Sequence, residues 1–382
     1  MSARGDGGDD PRATGVWHLS SNRWNSAITE YALSAARSLA MRAYPTVFTP
    51  LAGSPAEKRA VAAGLATRPA ASFGFLARGA LAAMAKEIAP RVVVTYGGPE
   101  TSLARLLPYP RAPLFVRFRG QALEVSGVVG AWRYRLGHRH VGLVLTPSEA
   151  LARATAALDG DRPAVCVPLG CDANRYQRVE ALDPRERPEV VLLGRLDPVK
   201  GHEVAFAMLR DVLASWPHTA PKPLLHVVGE PANLSVDDVV AMGKRAGLAP
   251  DVDFRVTARR VDDLPALLSR AAIGIVPSTG SEIIGRVTEE FLLCGTPVVL
   301  SGVGSLEEAL FPGGGASYRG MNPADRARLL LGWIRRSVEE GEAAKESRAA
   351  TARRLYSYET MGESLDAVLR ARLVPERREG SR

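Results

Sequence analysis

Two stretches decide how this chain reads: VVLLGRLDPVKGHE at residues 190–203 and PSTGSEIIGRVTEEFLLCGTPVV at residues 277–299. Each runs from an apolar strand through a glycine-bearing turn into a helix, the repeating unit of a parallel sheet covered by helices. In the first, the strand ends at Gly194, so Arg195 and Lys200 emerge at the carboxyl edge of the sheet, where doubly wound folds hold ligands. Arg195 offers a planar, two-pronged grip on phosphate oxygens, and Lys200 a compact charge on a long stem. Only six of the 49 basic residues are lysines. Lys200 also lies in a turn between Pro198 and Gly201, which separates it from the arginine background more clearly than Arg195.

In the second stretch a helix is expected to begin near Ile284 or Gly285. Its first N–H groups lack partners within the helix and form a natural cradle for phosphate. Ser281 is placed to cap that end, and Gly285 to admit a ligand close to the backbone. Along the helix Val287, Phe291 and Cys294 recur at i, i+4, i+7 and define a buried stripe. Glu290 lies about 60° from the middle of that stripe and Glu289 about 160° away, so Glu289 reads as a solvated surface charge. Glu290 flanks the buried face, where a carboxylate needs partners such as ribose hydroxyls or an arginine. Glu282 comes eight residues earlier. At ~1.5 Å per residue the pair spans up to about 12 Å, the reach of a nucleotide sugar from ribose to hexose.

Outward from these stretches, strands alternate with amphipathic helices nearly throughout. Strands are expected at 16–20, 45–49, 91–96, 113–118, 142–146 and 164–168, with helices at 26–42, 73–88 and 149–158. The charged, proline-containing stretch 178–188 (RVEALDPRERP) reads as a linker. The alternation then restarts, with strands at 189–193, 224–228, 253–257, 273–276 and 297–301 and helices at 203–215, 237–246, 261–270 and 285–294. The tail from 323 to about 373 is helical and rich in i,i+4 charge pairs. The expected class is α/β, with two Rossmann-like, doubly wound domains facing across a cleft. The expected division is 1–14 a disordered lead-in, 15–177 the N-terminal domain, 178–188 the linker, and 189–345 the C-terminal domain. A helix at 346–374 is expected to return to the N-terminal domain, and 375–382 to fray.

At 382 residues and 46% hydrophobic content the chain is large enough for two cores. No apolar run approaches the roughly 20 residues of a membrane span. Three scattered cysteines without a CxxC fit a reducing cytoplasm and argue against a disulfide frame or a zinc site. Residues 1–187 hold 24 Lys and Arg against 15 Asp and Glu, or +9; residues 188–382 hold 25 against 26, or −1. Such asymmetry points either to an anionic partner for the first half or to a bias for arginine in the composition. Within 117–140, arginines and histidines are interleaved with Trp132 and Tyr134, which suits an anionic membrane surface or acceptor.

The two stretches together resemble the retaining glycosyltransferases of family 4, which have the GT-B fold. That family carries a strand followed by G-R-x-x-x-x-K-G, met here by Gly194, Arg195, Lys200 and Gly201. Its second element, P-S-x-x-E-G-x-G-x-x-x-x-E-A-x-x-x-G-x-P-V, is met by Pro277, Ser278, Glu282, Gly285, Glu290, Gly295, Pro297 and Val298. A VPxGxD element also appears at Val167–Asp172. The resemblance implies that Arg195 and Lys200 neutralise the diphosphate of a nucleotide-sugar donor, that Glu290 binds its ribose, and that Glu282 lies by the transferred sugar. Arg195, Lys200 and Glu282 would then be catalytic. Gly194, Gly201, Ser281, Ile283, Ile284, Gly285 and Glu290 would hold the donor. Ile283 departs from the family, which has glycine there.

The N-terminal domain would take a glycan or lipid-linked acceptor, at Asn25, Ser26, Tyr96, Gly97 and Arg119, with no histidine at the usual family position. The function implied is transfer of a sugar to a polysaccharide or lipopolysaccharide-type acceptor by a cytoplasmic protein, peripheral at the inner membrane surface. No cofactor or metal is expected. Asp159-Gly160-Asp161 and Asp251-Val252-Asp253 fit the metal-binding D-x-D pattern, but both read as turns. A sugar-nucleotide epimerase on the same fold lacks an evident acid/base pair. A basic nucleic-acid-binding protein would explain the charge but not two carboxylates beside two cations, so no nucleic acid is expected.

Overall fold

The computed structural model describes residues 15–24, 26–121, 132, 134–159, 162–179, 187–259, 261–280, 282 and 284–373. The lead-in 1–14, most of the 178–188 linker and the tail 375–382 fall outside the described residues. The chain divides into two compact units. One comprises the residues up to Gly170 and those from Tyr358 onward; the other is Cys171–Ser357.

The first unit is built on seven parallel strands: β1 (Val16–Ser20), β2 (Thr46–Pro50), β3 (Ala66–Thr67), β4 (Val92–Thr95), β5 (Leu114–Phe118), β6 (Leu143–Thr146) and β7 (Ala164–Cys166). Their spatial order is β3-β2-β1-β4-β5-β6-β7. The second unit has six: β8 (Glu189–Leu193), β9 (Leu224–Val228), β10 (Phe254–Thr257), β11 (Ile273–Val276), β12 (Val298–Leu300) and β13 (Gly315–Ser317), in the order β10-β9-β8-β11-β12-β13. Both sheets are doubly wound. The winding reverses between β1 and β4 in the first and between β8 and β11 in the second, and those reversals open a crevice at the carboxyl ends of the strands. Every residue of β1, β4, β9 and β11 is buried, as a sheet covered on both faces requires.

Several helices begin where a side chain accepts from one of their first N–H groups. Ser26 caps Ala27–Met41, Ser54 caps Pro55–Ala62, and Ser235 with Asp238 forms a capping box on Val236–Arg245. The sequence missed the helices Pro55–Ala62 and Gly98–Ala104 and the edge strands β3 and β13. These helices span eight and seven residues and the strands two and three, too short to establish a period. Of the two D-x-D pairs, Asp251 turns the chain in a left-handed conformation (φ 60°) and Asp253 accepts the N–H of Ala249 at 2.8 Å. That pair serves a turn; Gly160 and Asp161 lie outside the described residues.

The helical tail is three helices, Pro323–Glu339, Glu342–Tyr356 and Tyr358–Leu373, separated by the extended residues Glu340 and Ser357. Only the last belongs to the first unit, so the returning segment starts at 358 rather than 346. It packs on Ala27–Met41 by burying Met361, Leu365 and Leu369. Tyr44 donates its hydroxyl to Asp366 Oδ1 at 2.5 Å, and Arg42 reaches Oδ2 at 3.3 Å. The first division falls at Gly170/Cys171, ahead of the expected 177/178. Among the described residues no helix is long and apolar enough to cross a membrane.

Candidate functional site

At the end of β8 the chain stays beside β9: Gly194 N–H donates to Val228 O at 2.9 Å and Leu196 N–H to Glu230 O at 2.9 Å. A Cβ on Gly229 would sit 1.8 Å from Gly194 O, so only glycine permits this approach. Buried Asp197 then shapes the 3₁₀ turn Pro198–Lys200. Its Oδ1 accepts from Val199 N–H at 3.1 Å and its Oδ2 from Asn233 Nδ2 at 2.8 Å. Gly201 follows in the left-handed region (φ 72°), where a Cβ would lie 1.9 Å from Pro277 O. The turn therefore presses directly on the chain leaving β11.

That contact joins the two stretches. Thr279 N–H donates to Val199 O at 2.9 Å. Lys200 Nζ donates to Glu282 Oε1 at 2.5 Å, and Ser278 Oγ donates to the same oxygen at 2.7 Å. The backbone of Glu282 is held by Ser305, whose N–H reaches its carbonyl at 2.8 Å, beside Gly304 in a left-handed conformation (φ 64°). Ser278, Asp197, Asn233 and Ser305 thus fix the lysine and carboxylate. The sequence carried a signal for Asp197, an Asp-Pro turn starter, and for Ser278, which meets the second family element, but none for Asn233 or Ser305.

The helix Arg286–Leu293 opens at Gly285. A Cβ there would meet nothing closer than 3.7 Å, so packing leaves room at that backbone. Glu290 is 2% exposed; Arg286 Nε bonds its Oε1 at 2.7 Å, and the Tyr176 hydroxyl is also hydrogen-bonded to it. Glu289 corrects the sequence reading: it is 5% exposed, not solvated. The helix is covered on its second side by Glu342–Tyr356, and Cys171 Sγ donates to Glu289 Oε2 at 3.1 Å. Burial, aided by the neighbouring Glu290, pushes the Glu289 carboxyl up to about 7 against the lowering effect of the thiol hydrogen bond. Burial likewise raises the Cys171 thiol.

Of the other expected site residues, Arg195 is exposed beside this turn, Gly194 abuts the stem of Lys200, and Ile284 is buried. Ser281, Ile283 and Asn25 lie outside the described residues. In the first unit Ser26 is engaged as a helix cap and accepts from Asn22 Nδ2 at 2.6 Å. The Tyr96 hydroxyl is paired at 2.7 Å with Nδ1 of His18, which burial lowers to about 3. Gly97 O accepts from Thr101 Oγ1 at 2.6 Å and Arg117 Nη1 at 3.2 Å. Arg119 is buried, donates to the Tyr134 hydroxyl, and stacks its guanidinium 4.9 Å from that ring.

Tyr96 and Gly97 border a cavity of about 290 Å³ with Ser21, Asn22, Trp24 and Glu100; Ser26 and Arg119 do not. Glu100 was missed by the sequence reading. In the basic stretch 117–140, Trp132 is exposed, Arg135 Nε bonds Leu158 O at 2.8 Å and His140 Nε2 pairs with Thr101 O at 3.2 Å. Residues 122–131 and Arg133 lie outside the described residues.

Residues 187–330 match the family of glycosyl transferases group 1. D-inositol 3-phosphate glycosyltransferase 2 of Catenulispora acidiphila is 31% identical over 196 residues, 47% of this chain and 45% of that protein. A D-inositol 3-phosphate glycosyltransferase of Mycolicibacterium vanbaalenii is 33% identical over 214 residues, 54% of this chain and 42% of its own length. The chain spans about half the length of these curated relatives. Among solved structures, Anabaena HepE in complex with UDP superposes with a TM-score of 0.74 at 17% identity, over 93% of this chain and 99% of that one. A glycosyltransferase from Rickettsia africae gives 0.73 at 14% identity, over 94% and 98%. At such identities the likeness speaks for the fold alone.

Proposed function

We propose that this chain, which has the GT-B fold and carries a group 1 glycosyltransferase domain over residues 187–330, is a retaining transferase that moves a sugar from a nucleotide-diphosphate sugar to a hydroxyl of a polysaccharide or lipopolysaccharide-type acceptor. One observation carries the reading. The turn bearing Lys200 and the turn bearing Glu282 are joined at the crevice between β8 and β11, with Lys200 and Glu282 2.5 Å apart.

The chemistry follows from that inventory. Cleavage of the anomeric C–O bond leaves an electron pair and negative charge on the departing diphosphate, and a cation must stabilise it. Lys200, with Arg195 beside it and the positive end of the helix Arg286–Leu293, meets that need. The acceptor oxygen attacks from the face the diphosphate leaves, and its proton passes to the leaving oxygen. In this reading Glu282 orients Lys200 and borders the sugar, Glu290 receives the ribose hydroxyls, and no metal is required. The +9 of residues 1–187 supports peripheral contact of the first unit with an anionic membrane surface.

Slow release of nucleoside diphosphate from a panel of nucleotide sugars, with and without EDTA, tests the donor half. Release from at least one donor, insensitive to the chelator, is expected. A panel with no binding and no release refutes the proposal. Binding to anionic over neutral liposomes at low salt tests the membrane contact.

A further inference from the structure

The reversal of winding in the first unit falls between β1 and β4, and the cavity of about 290 Å³ opens there, between the residues that follow β1 (Ser21, Asn22, Trp24) and those that follow β4 (Tyr96, Gly97, Glu100). Glu100 is completely buried. Its Oε1 accepts the N–H of Ser21 at 3.2 Å, and its Oε2 is buried without a hydrogen-bond partner. A buried carboxylate oxygen with no donor is costly, and a ligand that brings one removes the cost. Glycine at 97 leaves the space beside the carboxylate unfilled, since a Cβ there would lie 2.9 Å from both of its oxygens.

We propose that Glu100 determines acceptor specificity, selecting an uncharged, hydroxyl-bearing sugar ring and rejecting a phosphorylated one. The proposal rests on the transferase reading above and narrows its acceptor. A sugar hydroxyl donates to Oε2, whereas a phosphate dianion has no proton to give and meets like charge. Trp24, 75% exposed at the cavity wall, offers a flat face for the ring. The volume lies near the lower end of the about 300–1,000 Å³ typical of small-molecule sites, which fits one ring rather than an oligosaccharide. The tyrosine hydroxyl is already committed to His18, so the carboxylate is the anchor. Arg23, exposed on the same wall, is the lining cation and would favour phosphate.

The test is titration of the full chain, followed by tryptophan fluorescence, with methyl glucoside and myo-inositol and with glucose 6-phosphate and inositol phosphate. Saturable binding of the uncharged pair, at least tenfold tighter than the phosphorylated pair, is expected, with the fluorescence signal lost in Trp24→Phe. In Glu100→Gln the amide oxygen stays on the Ser21 N–H and the NH2 faces the cavity, where it donates to a hydroxyl oxygen, so uncharged ligands hold while phosphorylated ones gain about tenfold, the scale of one relieved like-charge contact. Tighter binding of the phosphorylated pair, equal binding of both, or an unchanged ratio in Glu100→Gln overturns the proposal. Nucleotide release by the wild-type chain without acceptor reports the transferase reading separately.

Discussion

Burial carries the Glu289 carboxyl from its ordinary 4.5 to about 7, while Glu290 beside it is held by Arg286 and Tyr176. Between those pH values the folded chain binds this proton more tightly than the unfolded chain does. The contribution to stability is complete below pH 4.5 and is lost as the pH rises through 7, on the order of 3 kcal/mol in all. Glu289→Gln removes the titration without changing the shape. Its urea midpoint should fall less than the wild type's between pH 5 and 8, and parallel curves for the two would disprove the assignment. Lys200 makes a different prediction. Lys200→Ala should lower nucleotide release about 10²–10³-fold, as loss of one transition-state donor does, with an unchanged circular dichroism spectrum. Near-normal release from the folded variant would remove Lys200 from the mechanism. The sequence separated Lys200 from its background because lysine is rare in this chain. It misplaced Glu289 because a helical wheel reports one buried face, and the second cover comes from residues 171–176 and 342–356, which lie far away in sequence.

At the scale of elements, the glycines of the two turns divide by what they face. Gly201 combines a left-handed φ of 72° with a Cβ position 1.9 Å from Pro277 O, so Gly201→Ala must part the two turns. A left-handed alanine alone costs about 1–2 kcal/mol. The thermal midpoint should drop, and nucleotide release with it. A Cβ on Gly285 would meet Ala309, Leu306 and Thr288 only at ordinary contact distance, 3.7–4.0 Å. Gly285→Ala should therefore leave the thermal midpoint nearly unchanged, yet weaken binding of a nucleoside diphosphate in calorimetry; unaltered affinity would show that no ligand approaches there. Most of these elements were legible from period alone. The strand Ile273–Val276 coincides with its expectation, and the helix Arg286–Leu293 lies within one residue of it at each end. What was illegible is how the turns interlock, because the Val199–Thr279 hydrogen bond joins segments 80 residues apart and no local pattern encodes it.

On the scale of the molecule, the first unit is completed by a helix from the far end of the chain. A chain ending at Ser357 would lose the burial of Met361, Leu365 and Leu369 against Ala27–Met41, each about 1.5–3 kcal/mol. Limited proteolysis of that truncated chain should digest residues 15–170 and spare 171–357; equal resistance of both would contradict the assignment of the helix. The sequence reading started this helix at 346, twelve residues before Tyr358, because charge patterning runs unbroken across Ser357. Composition also placed the linker too late. The proline-rich stretch at 178–188 stands out in sequence, whereas the division falls in the buried run Val167, Leu169 and Cys171. Where the chain leaves and returns, Cys171 and Ser357 form a parallel bridge, with Cys171 N–H on Tyr356 O at 2.6 Å. Residues 171–357 therefore start and finish side by side, joined by a single backbone bridge. They form a cassette with one doorway, which can be cut out and closed by a short loop, or exchanged for another, without respanning the domain that hosts it.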